Sequence, residues 1–393
     1  MFHSPSSGTV RNHALVLLTT GLFWASGISL LAQGSLTPPG APAPTMKTLD
    51  QVEARTPISS LPFPINNPGS YYLTKNLNVA SGDAITINAN QVTIDLNGFT
   101  ISSTATPAAG TGVVLGNDIT DITILNGHIK GDVFYNGSTY SGSGFANGIS
   151  YFGPSPGTCN VRVAGVSVSG CLTNGIYLNY LCAGLVESCT VRTIGGYGIL
   201  SPTVSHSSAA DCGDIAIYGL TVSDCSSAAT GSGFGLYASS ASNCYASSYS
   251  GTALHANNAS NCYGSSSSGI GIDANNASNS YGSSGGNGQG INASTATGCY
   301  GRSNSSQGIF ATNASNCYGV SESNRGVFAT VAMACTGVSN GSSYGVFASK
   351  IANNCYGFSN AGTGLNAYIA IGCVGETNIG GLVTYTYHYN MPP

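Results

Sequence analysis

Charge is what this sequence has least of. Lys, Arg, Asp and Glu make up 6% of its 393 residues, against roughly a quarter in an ordinary soluble domain. With a formal net charge of −4, it offers neither the basic footprint of a nucleic-acid binder nor a cationic face for a membrane surface. No CxxC pair occurs, so the usual thiolate zinc spacing is missing. Long apolar runs are also missing after residue 31, which leaves no later segment able to span a bilayer as a helix. What is abundant is Gly, at 55 residues, beside a hydrophobic content of 42%. That is not the low-hydrophobicity, high-charge profile of disorder. It suits a chain that turns tightly and often.

The single apolar run lies at the start. Arg11 and His13 precede ALVLLTTGLFWASGISLL (14–31), and small residues follow. Residues 1–32 read as a signal peptide cut after Ala32, with Gly27 as a second site and an uncleaved anchor as the alternative. The expected location is therefore outside the cell or on its surface, with the periplasm as the other compartment. Residues 33–60 read as a Pro-rich linker. TLDQVEAR (48–55) within it has Thr48 and Gln51 in capping-box spacing for a short helix.

From there a phrase repeats. Cys171, Cys189, Ser207, Cys225, Cys244, Cys262, Ser280, Cys299, Cys317, Cys335, Cys355 and Cys373 follow one another at steps of 18 to 20 residues. From Cys244 onward the surrounding pattern is A-x-x-C-x-[GA]-x-[ST], with period two, as in a strand with one fixed face. A second strand carries [GA]-[ILV]-x-A, with its apolar column running Ile85, Val113, Ile149, Ile176, Ile199, Ile217, Leu236, Leu254 and on through Leu365 to Leu382. Strands this short cannot bury a face alone, but stacked coil on coil they build a continuous core. The columns give 15 candidate coils, longer in the N-terminal part, and a rod about 70 Å long at about 4.8 Å per coil. From Cys244 onward the residue before the column is Asn or Gly, with Ala334 the exception. Those types tolerate the left-handed backbone that a sharp bend needs.

Thirteen Cys in an exported chain would suggest disulfides. Stacked column thiols have parallel side-chain vectors, which fit a disulfide poorly, so they are expected to be unpaired core fillers. Cys159, Cys182 and Cys212 fall outside the column and are candidates for pairing. No metal site is expected. A left-handed hexapeptide helix would show a six-residue internal period, and a Ca²⁺-binding nonapeptide roll would need an Asp in every repeat. The sequence shows neither.

The phrases VTIDLNGFTI (92–101) and ITILNGHIKG (122–131) resemble those of the right-handed parallel β-helix proteins exported by bacteria, in the pectate-lyase-like superfamily. The resemblance covers residues 60 to 393 and implies an all-β, single-stranded right-handed parallel β-helix over 61–393. It speaks for the fold more than for an activity, because one fold hosts many functions. It also implies what an enzyme of this kind would need: carboxylates to hold Ca²⁺ and a base, or two carboxylates flanking a sugar. The candidates lie on the N-terminal coils, with Asp118, Asp121 and Asp132 as carboxylates and Lys130 or Arg162 as base. Insertions 131–148 and 152–160 stand ready to wall a groove. In the C-terminal half the carboxylates do not share columns on adjacent coils, and Glu322 and Arg325 are expected to pair with each other or face water.

Aromatic columns point elsewhere. Tyr245, Tyr263, Tyr281, Tyr300, Tyr318 and Tyr356 follow the Cys column and should face outward. A second outward column holds Tyr177, Tyr218 and Tyr237, then Phe310, Phe328 and Phe347. Such rows either stack on sugar rings or stack on one another, while the Phe row calls for a partner surface or a covering loop. The expected function is a non-catalytic exported rod that binds polysaccharide or cell-envelope glycan, with no cofactor. A polysaccharide lyase or glycoside hydrolase is the alternative, with Ca²⁺ required only for the lyase. A purely structural rod is the third reading.

Overall fold

The computed structural model describes residues 53–151, 153, 160–179, 183–378 and 383–385. The expected signal peptide, linker residues 33–52, most of insertion 152–160, Cys159, Cys182 and Leu382 lie outside the described residues. The described chain is a parallel β-solenoid of about 16 turns without helices. One ladder runs its whole length, through Tyr71, Ile94, Ile124, Val163, Val186, Val204, Val222, Ala241 and Ala259 to Ala370. The turn beyond the expected 15 begins at Thr56–Ile58, inside the stretch read as linker. Glu53 to Arg55 are not helical. Arg55 instead pairs with Glu53 and Asp95 and lies 4.5 Å over the Tyr72 ring, fastening the first turns together.

Each turn has three flat faces. In the turn that starts at Leu236, the first face holds Leu236 and Ala238 inward and Tyr237 outward. Exposed Ser239 and Ser240 mark a corner, and Ala241 points inward from the second face. A sharper corner follows at Asn243 and Cys244, and Tyr245–Ser248 form the third face. The inward sets are buried from end to end, and each fully buried Ile, Leu or Val contributes about 1.5–3 kcal/mol. The aligned column from Ile85 through Leu365 stands in register at every rung.

The sharp corner has one conformation throughout. Residues 126, 165, 188, 206, 224, 243, 261, 279, 298, 316, 334, 354 and 372 all have φ between +48° and +63°. Most are Asn, Gly or Asp, which tolerate the left-handed region best.

The rod also narrows. On the third face the inward residue shrinks from Ile101 and Ile129 through Val168, Val191 and Ala209 to Gly264 and Gly282. A Cβ on Gly282 would lie 2.1 Å from the Gly290 carbonyl oxygen, so the first and third faces meet there backbone to backbone.

The described cysteines are all free and buried, as the column geometry implies. Burial pushes the Cys189 and Cys225 thiols up to about 11 and Cys171 up to about 12. Cys171 is not in the main column, however. Ser167 pairs with Thr190, which puts Val166 level with Cys189. Cys171 instead stands with Ile194 and Cys212 at the far end of the third face. The interval of 18 residues from Cys171 to Cys189 matches the repeat by coincidence, because the turn there is lengthened. Cys212, a candidate for pairing, is a free core thiol in that shorter column.

Candidate functional site

The N-terminal charges do not assemble. Asp118, Asp121 and Arg162 lie at the start of the second face, while Lys130 and Asp132 lie beyond the Asn126 corner, at the end of the third. Arg162 donates from Nε to Glu187 at 2.6 Å. Asp121 accepts from Asn160 at 2.9 Å and, like Asp118, has positive φ. Both aspartates therefore shape the bend that precedes a strand. Lys130 stands between Ser102 and Ser169 in its ladder. Among the described residues no three His, Cys, Asp or Glu side chains could hold a metal ion.

The Tyr column faces outward as expected, and its rings lie on one another. Tyr245, Tyr263, Tyr281, Tyr300 and Tyr318 stack with centroids 4.8–5.2 Å apart and planes within 17°. Inner ring faces are therefore covered by neighbouring rings, and the edges and hydroxyls face outward. Thr336 interrupts the column before Tyr356, whose hydroxyl donates to Glu376 at 2.7 Å.

The second outward column is also in register, and it has a gap. Tyr218 stacks on Tyr237, and Tyr237 on His255. Asp273 and Asn292 come next, and the rings resume with Phe310, Phe328 and Phe347. The Phe rings carry a covering loop. The Arg325 guanidinium lies 4.9 Å over Phe328 and 4.9 Å over Phe347, and Tyr344 packs 5.3 Å from Phe347. This corrects the expectation for Glu322 and Arg325. Glu322 pairs with Arg302 at 3.2 Å, while Arg325 turns to the rings. A guanidinium sheds its hydration readily enough to lie on aromatic faces.

The most built feature is an arm. Asp132–Tyr135 and Tyr140–Ser143 form an antiparallel hairpin out of insertion 131–148. It lies along the glycine-lined ends of several turns, with the Tyr140 ring so close that a Cβ on Gly213 would meet it at 2.9 Å. The Tyr140 hydroxyl donates to Asp211 at 3.0 Å and sits 2.8 Å from the Thr230 hydroxyl, and Thr193 donates to the other Asp211 oxygen at 2.8 Å. Burial holds the Tyr140 hydroxyl well above the usual tyrosine range, so it stays protonated and donating. Tyr135 is fixed too, 4.8 Å from the Tyr140 ring and bonded through its hydroxyl to the Gly137 carbonyl.

Between the arm tip and the turns beneath it is a cleft of about 580 Å³, lined by Tyr135 and Tyr249 and by the hydroxyl residues Thr230, Ser247, Ser265 and Ser267. Among the described residues no charged side chain lines it. Tyr249 is 68% exposed, and Phe134 on the arm is 56% exposed. The sequence indicated a walled groove through insertion 131–148 but gave no weight to Tyr249. Its signal was a departure from the repeat, since the following coils place Ser267, Gly285 and Asn304 at that position.

No protein-family model matches the chain, and no curated protein matches it. Among solved structures it is similar to the Azotobacter vinelandii mannuronan C-5 epimerase AlgE6 A-module, at 14% identity and a TM-score of 0.40, over 78% of this chain and 90% of that one. At that identity and score the likeness bears on neither activity nor ligand.

Proposed function

We propose that this protein is an exported β-solenoid rod that binds uncharged polysaccharide or cell-envelope glycan without cleaving it. The observation that carries this reading is the cleft under the arm. Two fixed or exposed tyrosines face a floor of serine and threonine hydroxyls, and no charge intrudes. A pyranose has the same two aspects, an apolar face of C–H groups and a rim of hydroxyls, so rings and hydroxyls together recognise it. The arm is held by the Tyr140, Asp211, Thr193 and Thr230 network, so little ordering is needed on binding. Export rests on the apolar run 14–31, and the pectate-lyase-like relationship on VTIDLNGFTI and ITILNGHIKG.

The test is a glycan-array screen of the full chain with and without Ca²⁺, with released sugar assayed in the same wells. Binding without release is expected, weakened about tenfold or more by Tyr249→Ala, which removes an exposed ring whose loss should leave the fold intact. Release of unsaturated uronic acids or of reducing ends would overturn the non-catalytic reading in favour of a lyase or a hydrolase. Silence across the array would leave a structural rod.

A further inference from the structure

The gap in the second aromatic column is a site of a different kind. At three consecutive turns the ring ladder is replaced by His255, Asp273 and Asn292. His255 Nδ1 lies 2.9 Å from Asp273 Oδ2, and Asn292 Nδ2 donates to Asp273 Oδ1 at 2.7 Å. Each of the three is held in place. The His255 ring stacks 4.8 Å from Tyr237, and Asp273 is fixed from both sides. Held this way, the three polar groups keep fixed positions along the rod, at the parallel-strand spacing of about 4.8 Å.

The hydrogen-bonding capacity of the group is not exhausted. A carboxylate accepts about four hydrogen bonds, an amide oxygen two, and the second imidazole nitrogen one. Asp273 has used two of its sites on its neighbours, and among the described residues Asn292 Oδ1 and His255 Nε2 take no part in these bonds. These side chains are shorter than the rings above and below, so they leave a notch of about 290 Å³ in the ridge. Phe310, the first ring of the lower ladder, closes one end of it, and the neighbouring outward column adds Asn275, Ser294 and Thr312. The carboxylate of Asp273 is held below the usual aspartate range by the hydrogen bond with His255, so it is an acceptor at neutral pH.

We infer that this notch is a second glycan site, on a face other than the one that bears the arm cleft, and that it takes a neutral pyranose through a pair of adjacent hydroxyls. Two hydroxyls on neighbouring ring carbons can donate to Asp273 and to Asn292 Oδ1 while the sugar's C–H face rests against the Phe310 ring. An anionic sugar would meet the Asp273 carboxylate with like charge. This site therefore selects against uronic and sulfated units, and does so more strongly than the chargeless arm cleft. Two sites on one stiff rod give the protein two grips on a polymer or a link between two chains, and avidity follows from their fixed separation.

His255 supplies the reporter. Its Cε1–H signal is followed by NMR in the full chain while the methyl glycosides of glucose, mannose and galactose, and N-acetylglucosamine, are added to 50 mM each. At least one should shift the signal saturably, and glucuronate should not. Asp273→Asn, which keeps the side-chain shape, and Asn292→Ala should each weaken that response about tenfold or more. Tyr249→Ala should leave it unchanged, so that failure here and failure of the arm cleft are separable. No shift with any neutral sugar would overturn the proposal, as would a response undiminished in both folded variants.

Discussion

Ala334 holds φ +49° at a corner where the neighbouring turns have Asn316 and Asn354. For a residue with a Cβ and no side-chain hydrogen bond to offer, the left-handed region costs roughly 1–2 kcal/mol. Glycine adopts it freely but loses more chain entropy on folding, by about 0.4–1 kcal/mol. Ala334→Gly should therefore raise stability by about 0.5–1 kcal/mol, read as a higher urea midpoint. An unchanged or lower midpoint would mean that the stack relieves the strain in another way. At this scale the sequence was legible wherever chemistry is restrictive. The left-handed corners follow from Asn and Gly, and the unpaired thiols follow from a column too regular for disulfides. Ser207 and Ser280 reproduce the thiol's role, each donating to the carbonyl two residues back at 2.8 Å. Cys171 was illegible for the converse reason. Spacing alone placed it, and the lengthened turn between Val168 and Val191 shifts the register without leaving a mark in a count of residues.

The unit that counts at the next scale is the ladder. Tyr281 lies between Tyr263 and Tyr300, with centroids at 4.8 and 4.9 Å and nearly parallel planes. Each stacked pair contributes about 0.5–1.5 kcal/mol beyond area burial, so Tyr281→Ala should cost about 1–3 kcal/mol. A double-mutant cycle with Tyr263→Ala should return a coupling of about 0.5–1.5 kcal/mol. Zero coupling would mean that the rings are neighbours without being partners. Glycan binding should be little changed by either substitution if the ladder is a structural element and the ligands use the arm cleft and the notch. Alternation put these rings outside, and that much was plain in the sequence. Whether they would stack on each other or on sugar was left open, because both arrangements want the same residues at the same rise. The gap at His255, Asp273 and Asn292 was in plain sight as a break in an aromatic column. Its meaning needed the hydrogen bonds that tie the three together. The arm was harder still, because insertion 131–148 pairs with itself and departs from the repeat, so no column predicts where it lies.

A molecule built this way should tolerate losing a whole turn more easily than losing half of one. Each turn contacts mainly its two neighbours, so stability is close to a sum of turn and interface terms. Deleting Cys317–Ala334 joins Asn316 to Cys335, which keeps the corner, the thiol column and the third-face strand in phase. It also places Phe347 on Phe310 in the second column. The shortened protein should fold, with an unchanged far-UV circular dichroism shape per residue and a rod about 4.8 Å shorter by small-angle scattering. Deleting only Cys317–Arg325 removes half a turn and sets every later inward position against the wrong face. Because side-chain facing in a strand is fixed by register, that chain should aggregate or lose the C-terminal turns, seen as rapid proteolysis beyond residue 316. If both deletions behave alike, the turns are not the independent stacked units that their common register indicates. If they differ as expected, the repeating turn of 18 to 20 residues is the unit of its stability, and the arm cleft and the notch are departures from that unit.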